Sequence, residues 1–209
     1  MYILLLAFLK GLAFGITMAA IPGPIFFLII QRTLADGALT GLVCGLGAIT
    51  ADTAYALIAA IGLSFIMQFL TTYQTWITFA GGLFLLYLGI TTSYRKPTYQ
   101  SAVVQNNKLI TAWFSTFLLT LTNPVTVISY CIIFAGLGID TVHHNRGAIF
   151  CLVAGVITGA ASVVIILVSF LSYFRQKLST STIRTINKGA GIILIVFGII
   201  AILQSVMCF

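Results

Sequence analysis

Glutamate is missing from this 209-residue chain, and aspartate occurs only as Asp36, Asp52 and Asp140. Charged residues of either sign amount to 6% of the total, whereas a soluble domain carries roughly a quarter, because its surface must face water. So little charge excludes a water-exposed globule. No HExxH element, no pair of acids and no Ser/His arrangement occurs in the apolar runs, which argues against an enzyme. The four cysteines form neither CxxC nor a Cys/His cluster, so neither a disulfide framework nor a zinc site is expected. Basic runs interleaved with aromatics are also lacking, so the net charge of +7 is no sign of nucleic-acid binding. The N-terminus lacks the basic stretch of a cleaved signal peptide, so Tyr2 onward is read as a first span.

What is present is hydrocarbon-like: 60% hydrophobic residues and a mean hydropathy of +1.16. Lipid is the expected solvent, and the length suits one compact membrane domain. Six apolar stretches stand out, at Tyr2–Ile30, Gly37–Leu70, Gln74–Thr92, Leu109–Ile139, Gly147–Phe174 and Gly189–Phe209. All but the third exceed the ~20 residues that cross ~30 Å of hydrocarbon as a helix. The first, second, fourth and fifth must tilt, kink or extend beyond it. Their continuity argues against a barrel, whose strands alternate over about ten residues. The expected fold is an all-α membrane protein of six transmembrane helices.

The connections set the orientation. One side receives Arg32, Arg95, Lys96, Lys108, Arg175, Lys177, Arg184 and Lys188, the other Arg146. The positive-inside rule makes the first side cytoplasmic, with both termini facing the periplasm or exterior of an inner membrane. Trp76, Tyr94 and Tyr99 suit the interfacial belt, and Gln31 with Arg32 is expected to anchor the cytoplasmic end of the first span. The polar connection 95–108 divides the chain into 1–94 and 109–209. Gly37, Gly45 and Asp52 lie 110 positions before Gly147, Gly155 and Ser162, and the run Gly81–Ile90 aligns with Ala190–Ile199, pairing Gly82 with Gly191 and Gly89 with Gly198. Two inverted three-helix repeats follow, an architecture that places substrate near the midplane between the halves.

Both the first and the fourth spans are interrupted by proline, at Pro22-Gly23-Pro24 and at Asn123-Pro124. Proline removes a backbone donor and clashes with the carbonyl four residues back, so both helices are expected to break. Carbonyls freed within hydrocarbon need protein or a wet cavity around them. The half-helix opening at Pro24 is expected to aim the amides of Phe26 and Phe27 inward, where they attract a carboxylate.

Asp52 lies ~22 Å along a helix from Gly37, near the membrane centre. A carboxylate there costs at least ~2.5 kcal/mol, so packing alone explains it poorly. Gly41, Gly45, Ala48, Asp52 and Ala59 form a stripe of small residues, which turns Asp52 into the bundle. Two roles suit it, a proton carrier or a counter-charge for an ammonium; packing, with Lys10 as a partner, is the plainer alternative. Lys10 either snorkels to the outer interface or lines a cavity. Cys151, Gly155, Thr158 and Ser162 form the corresponding stripe of the fifth span, and Thr116, Thr120, Asn123 and Tyr130 share a face of the fourth. His143 and His144, beside Asp140, are placed in an exterior loop and make a poor metal site.

These features together resemble LysE/RhtB-type amino-acid exporters. The run from Phe8 to Leu63, containing FGITMAAIPGPIFFLIIQRTLADG, resembles their first half, and FLLTLTNPVTVISY and INKGAGIILIVFGI resemble their fourth and sixth spans. The resemblance implies proton-driven export of amino acids or similar small zwitterions, without a cofactor. By position, Pro22, Gly23, Pro24, Asp52, Asn123 and Pro124 match the family's motif residues. The chain departs where related sequences often carry tryptophan in the fifth span, having Val163 and Val164 instead. A divalent-cation exporter of the same superfamily is the second reading, although one membrane carboxylate supplies few hard ligands. A homo-oligomer is compatible with either.

Overall fold

The computed structural model describes residues 2–60, 69, 72–94, 106–123, 126, 129–130, 146–175 and 180–207. Among them seven α-helices and no strand are found: α1 (Tyr2–Ala20), α2 (Pro24–Asp36), α3 (Ala38–Ala60), α4 (Gln74–Tyr94), α5 (Asn106–Leu121), α6 (Arg146–Arg175) and α7 (Thr180–Met207). Five of these, α1, α3, α4, α6 and α7, are long and apolar enough to cross a membrane. The chain is a multi-pass membrane protein.

The elements differ in places from those the hydropathy alone predicts. The first stretch is two helices, because Ile21–Gly23 leaves the helical conformation ahead of Pro24. The fourth is a 16-residue helix ending at Leu121, too short to span by itself, and most of its expected second half lies outside the described residues. The sixth begins at Thr180 instead of Gly189, since its polar first turns hydrogen-bond as helix although they carry no apolar signal. Asn106 to Lys108 likewise belong to α5, so the connection expected over 95–108 is shorter; residues 95–105 lie outside the described set, as do Asp140, His143 and His144.

Small residues decide how the helices meet. Gly11 and Gly15 of α1 lie against the backbone of Leu152, Val156 and Ala160 in α6, while Gly155 and Gly159 of α6 lie against Phe8, Leu12 and Ile16. A β-carbon at any of the four would meet main chain, which cannot yield as a side chain can. Gly47 of α3 sits in the same way on Trp113 and Phe117 of α5. In the pair α4 and α7, Gly82 faces Gly198 and Gly89 faces Gly191. Lipid tails are as apolar as leucine, so close backbone approach supplies the association that hydrophobicity supplies in water.

Two apolar clusters fill the bundle. One joins Ala7, Phe14, Tyr55, Ala56, Tyr130, Leu152 and Val156. The other joins Leu28, Ile29, Cys44, Ile49, Leu85, Leu119, Val164 and Leu194. Helix α2, packed among α3, α5, α6 and α7, is buried from Leu28 to Ala35 except for partial exposure at Ile30. Gln31 and Arg32, in the last turns of α2, are enclosed by protein: Gln31 is fully buried, and Arg32 pairs with Asp36 at 3.5 Å. Sequence periodicity does not disclose that neighbours close on every side of this short helix. Gly37 ends α2 with φ 102°, a left-handed conformation open to glycine at no steric cost. Arg175 of α6 caps the same end, donating to the carbonyls of Leu34 (3.0 Å) and Ala35 (3.4 Å). Hydroxyls within the helices mostly bond back one turn, as Thr33 does to Ile29 at 2.7 Å, which keeps them satisfied away from water.

Candidate functional site

Asp52 sits on α3 between the two apolar clusters, one turn from Ile49 and one from Tyr55. It lines a cavity of about 320 Å³. Pro22, Gly23, Pro24 and Phe26 contribute from the break between α1 and α2, and Thr122, Asn123 and Thr126 from the end of α5. Thr78, Gly81 and Gly82 of α4 and Phe197, Ala201 and Gln204 of α7 close another side. The two chain breaks and the membrane carboxylate thus share one space.

The first break leaves donors unused. Gly23 is the N-cap of α2, extended at φ −120° and ψ −173°, with no side chain to cap the helix. Pro24 has no N–H, and the amide of Phe27 is taken by the Gly23 carbonyl at 3.1 Å. That leaves Ile25 and Phe26 as the first-turn amides without an intrahelical acceptor. The expectation of Phe26 and Phe27 shifts by one residue: Phe27 is already the fourth position of the helix, so its amide closes the first helical bond, and its side chain is not among the cavity lining.

At the second break the helix tightens before it stops. Thr122 N bonds Leu118 O at 3.0 Å, but Asn123 N reaches back only three residues, to Thr120 O at 3.3 Å. Pro124 has no amide with which to claim Thr120, and its placement lies outside the described residues. Asn123 O accepts from Thr126 N at 3.1 Å. The Leu121 carbonyl accepts a 2.6 Å hydrogen bond from the Tyr55 hydroxyl of α3. A protein donor therefore serves a carbonyl that the break releases.

Behind Asp52 stands an aromatic group. Tyr130 is fully buried, with its phenol beside the Asp52 carboxyl. Its ring meets Phe14 edge-on at 4.8 Å and Tyr55 at 5.6 Å. These contacts hold the phenol from α1 and α3 and leave the open side of Asp52 to the cavity. Among the described lining residues Asp52 is the one charged side chain.

Other expected residues are placed elsewhere. Gly45 packs against Val164, so the small-residue stripe of α3 does face the bundle. The corresponding stripe of α6 does not reach the cavity: Gly155 faces α1, Thr158 is exposed, and Ser162 donates to Gly159 O at 2.7 Å. Ala160 and Val164 line the cavity from α6 in their stead, because that helix has small residues on two faces and the Gly155 face is spent on α1. Thr116 and Thr120 are buried, Thr116 within 2.7 Å of Cys44 Sγ and Thr120 bonded to Thr116 O. Lys10 is exposed on α1 and does not pair with Asp52. Thr78, Gln204, Thr122 and Thr126 were not anticipated; Thr78 lies one turn from Gly82 and Thr122 next to Asn123, which was the signal available.

Comparison with known proteins identifies relatives of the chain. The family model of the LysE type translocator matches residues 16–205. The chain is 28% identical over 196 residues to the "Putative amino acid efflux protein YcgF" of Bacillus subtilis, covering 91% of this chain and 92% of that one. It is 25% identical over 191 residues to the uncharacterized membrane protein slr1627 of Synechocystis, covering 90% and 91%. To the uncharacterized membrane protein YahN of Escherichia coli it is 30% identical over 118 residues, 54% of this chain and 52% of that one. No solved structure matches.

Proposed function

The chain belongs to the LysE type translocator family, and from that premise we propose that it exports amino acids from the cytoplasm in exchange for protons across the inner membrane. The observation that carries this reading is the single cavity shared by Asp52, the Pro22–Pro24 break and Asn123. The name of the Bacillus relative, which refers to amino acid efflux, supports the same substrate class.

An amino acid presents one ammonium and one carboxylate. The ammonium meets Asp52. The carboxylate meets the first-turn amides of Ile25 and Phe26, where the α2 dipole favours an anion. Asp52 holds either a proton or the ammonium, and this exclusion couples outward movement of one to inward movement of the other. A divalent cation would require about six oxygen ligands, several of them charged, and Asp52 with neutral threonine, asparagine and glutamine side chains suits a zwitterion better.

The architecture in this reading is six crossings in two inverted repeats, with both termini external. Its support is internal symmetry. If Gly82 corresponds to Gly191 and Gly89 to Gly198, the Gly82–Gly198 contact maps onto Gly191–Gly89. The packing of α1 on α6 maps likewise onto that of α5 on α3. Rocking of one repeat against the other would expose the cavity to each side in turn.

The test is efflux from proteoliposomes containing the purified chain, loaded with a mixture of the twenty amino acids and held in a more acidic medium. At least one amino acid should leave several-fold faster than from protein-free vesicles. Equal loss of all twenty from both preparations would refute the reading.

A further inference from the structure

The apolar part of the cavity lining has its own chemistry. Ile29, Ile49, Leu85 and Val164, all buried, belong to one apolar cluster, with Ile25 and Phe197 packed against it, and all six line the cavity. The cavity floor is thus a face of the hydrophobic core. Hydroxyl and amide groups come from Thr78, Thr122, Asn123, Thr126 and Gln204, and no lysine or arginine is found among the described lining residues. At about 320 Å³ the space is at the small end of ligand pockets, which favours a single compact solute over a peptide.

Resting on the export reading above, we infer that the cavity selects amino acids with a bulky, uncharged, apolar side chain, of the branched aliphatic or aromatic kind, over cationic, anionic and small ones. Once the α-ammonium occupies Asp52 and the α-carboxylate occupies the α2 amides, the side chain lies against the apolar floor. A lysine or arginine side chain would bring a second cation to a space with one acid. A glutamate or aspartate would bring a second anion to a space with no cationic side chain among its described lining residues. Burying an unpaired charge is strongly disfavoured. An alanine leaves the floor uncovered, and a single methylene in an apolar pocket is already worth about tenfold in discrimination. Val164 stands in this floor and presents only apolar carbon to the cavity.

The experiment loads proteoliposomes separately with leucine, phenylalanine, alanine, lysine or glutamate at equal concentration. Leucine and phenylalanine should leave at least about tenfold faster than alanine, and lysine and glutamate no faster than from protein-free vesicles. Export of lysine or glutamate at the leucine rate would overturn the specificity and leave export itself standing. Movement of none of the five would overturn the specificity, and the mixture of twenty then decides export itself. Phe197→Ala supplies a second readout: the leucine-to-alanine rate ratio should fall towards one, and an unchanged ratio in a folded variant would contradict an apolar floor formed by this ring.

Discussion

The Tyr55 hydroxyl binds the Leu121 carbonyl at 2.6 Å, joining the Asp52-bearing face of α3 to the point where α5 breaks. Tyr55 also lies at a tilt against Tyr130, the buried neighbour of Asp52. One side chain therefore supports both the break and the carboxylate. Tyr55→Phe keeps the ring and removes the donor, leaving a carbonyl inside the bundle unsatisfied at a cost of about 1–3 kcal/mol. Thermal unfolding in detergent should show a lowered midpoint. A midpoint equal to wild type would mean that another donor serves Leu121.

Contact between α1 and α6 depends on the absence of side chains. Gly155→Ala places a methyl against the carbonyl of Phe8 and the amide of Leu12, and the helices must separate, with an overpacking cost of about 1–3 kcal/mol. Gly189→Ala is the control. Nothing lies within 4 Å of that position, and alanine gains up to about 1 kcal/mol in helix propensity. The recovery of monodisperse protein after mild heating should fall for the first variant and hold or rise for the second.

Arg175 closes the far end of α2 by donating to Leu34 and Ala35. Hydrogen bonds from a charged group are worth about 1.5–3 kcal/mol, so Arg175→Gln should lower the unfolding midpoint. Arg175→Lys should restore part of it, because an ammonium lacks the planar fork that serves two carbonyls together. If lysine and glutamine behave alike, charge at this position plays no part in the cap.

Much of this architecture is legible in the sequence because lipid imposes severe rules. Continuous apolar runs give the helices, Pro22-Gly23-Pro24 gives the first break, and the small-residue stripe turns Asp52 inward. Asn123 is marked by the proline after it. What escapes is information carried by distant pairs. The partnership of Tyr55 with Leu121 spans 66 residues and has no local trace. Burial of Gln31 and Arg32 depends on neighbours closing around α2, which no window on α2 contains. Helix α6 offers two faces of small residues, and periodicity cannot choose which of them α1 takes, so Ser162 was expected where Ala160 and Val164 stand.

In the proposed exchange, Asp52 carries the proton that is traded for substrate in this cavity. The most direct measurement compares amino-acid efflux from proteoliposomes with and without an imposed proton gradient, for wild type and for Asp52→Asn of matched content and elution profile. The gradient should accelerate efflux several-fold in wild type and leave the variant unchanged. Equal acceleration in both would mean that Asp52 does not carry the proton.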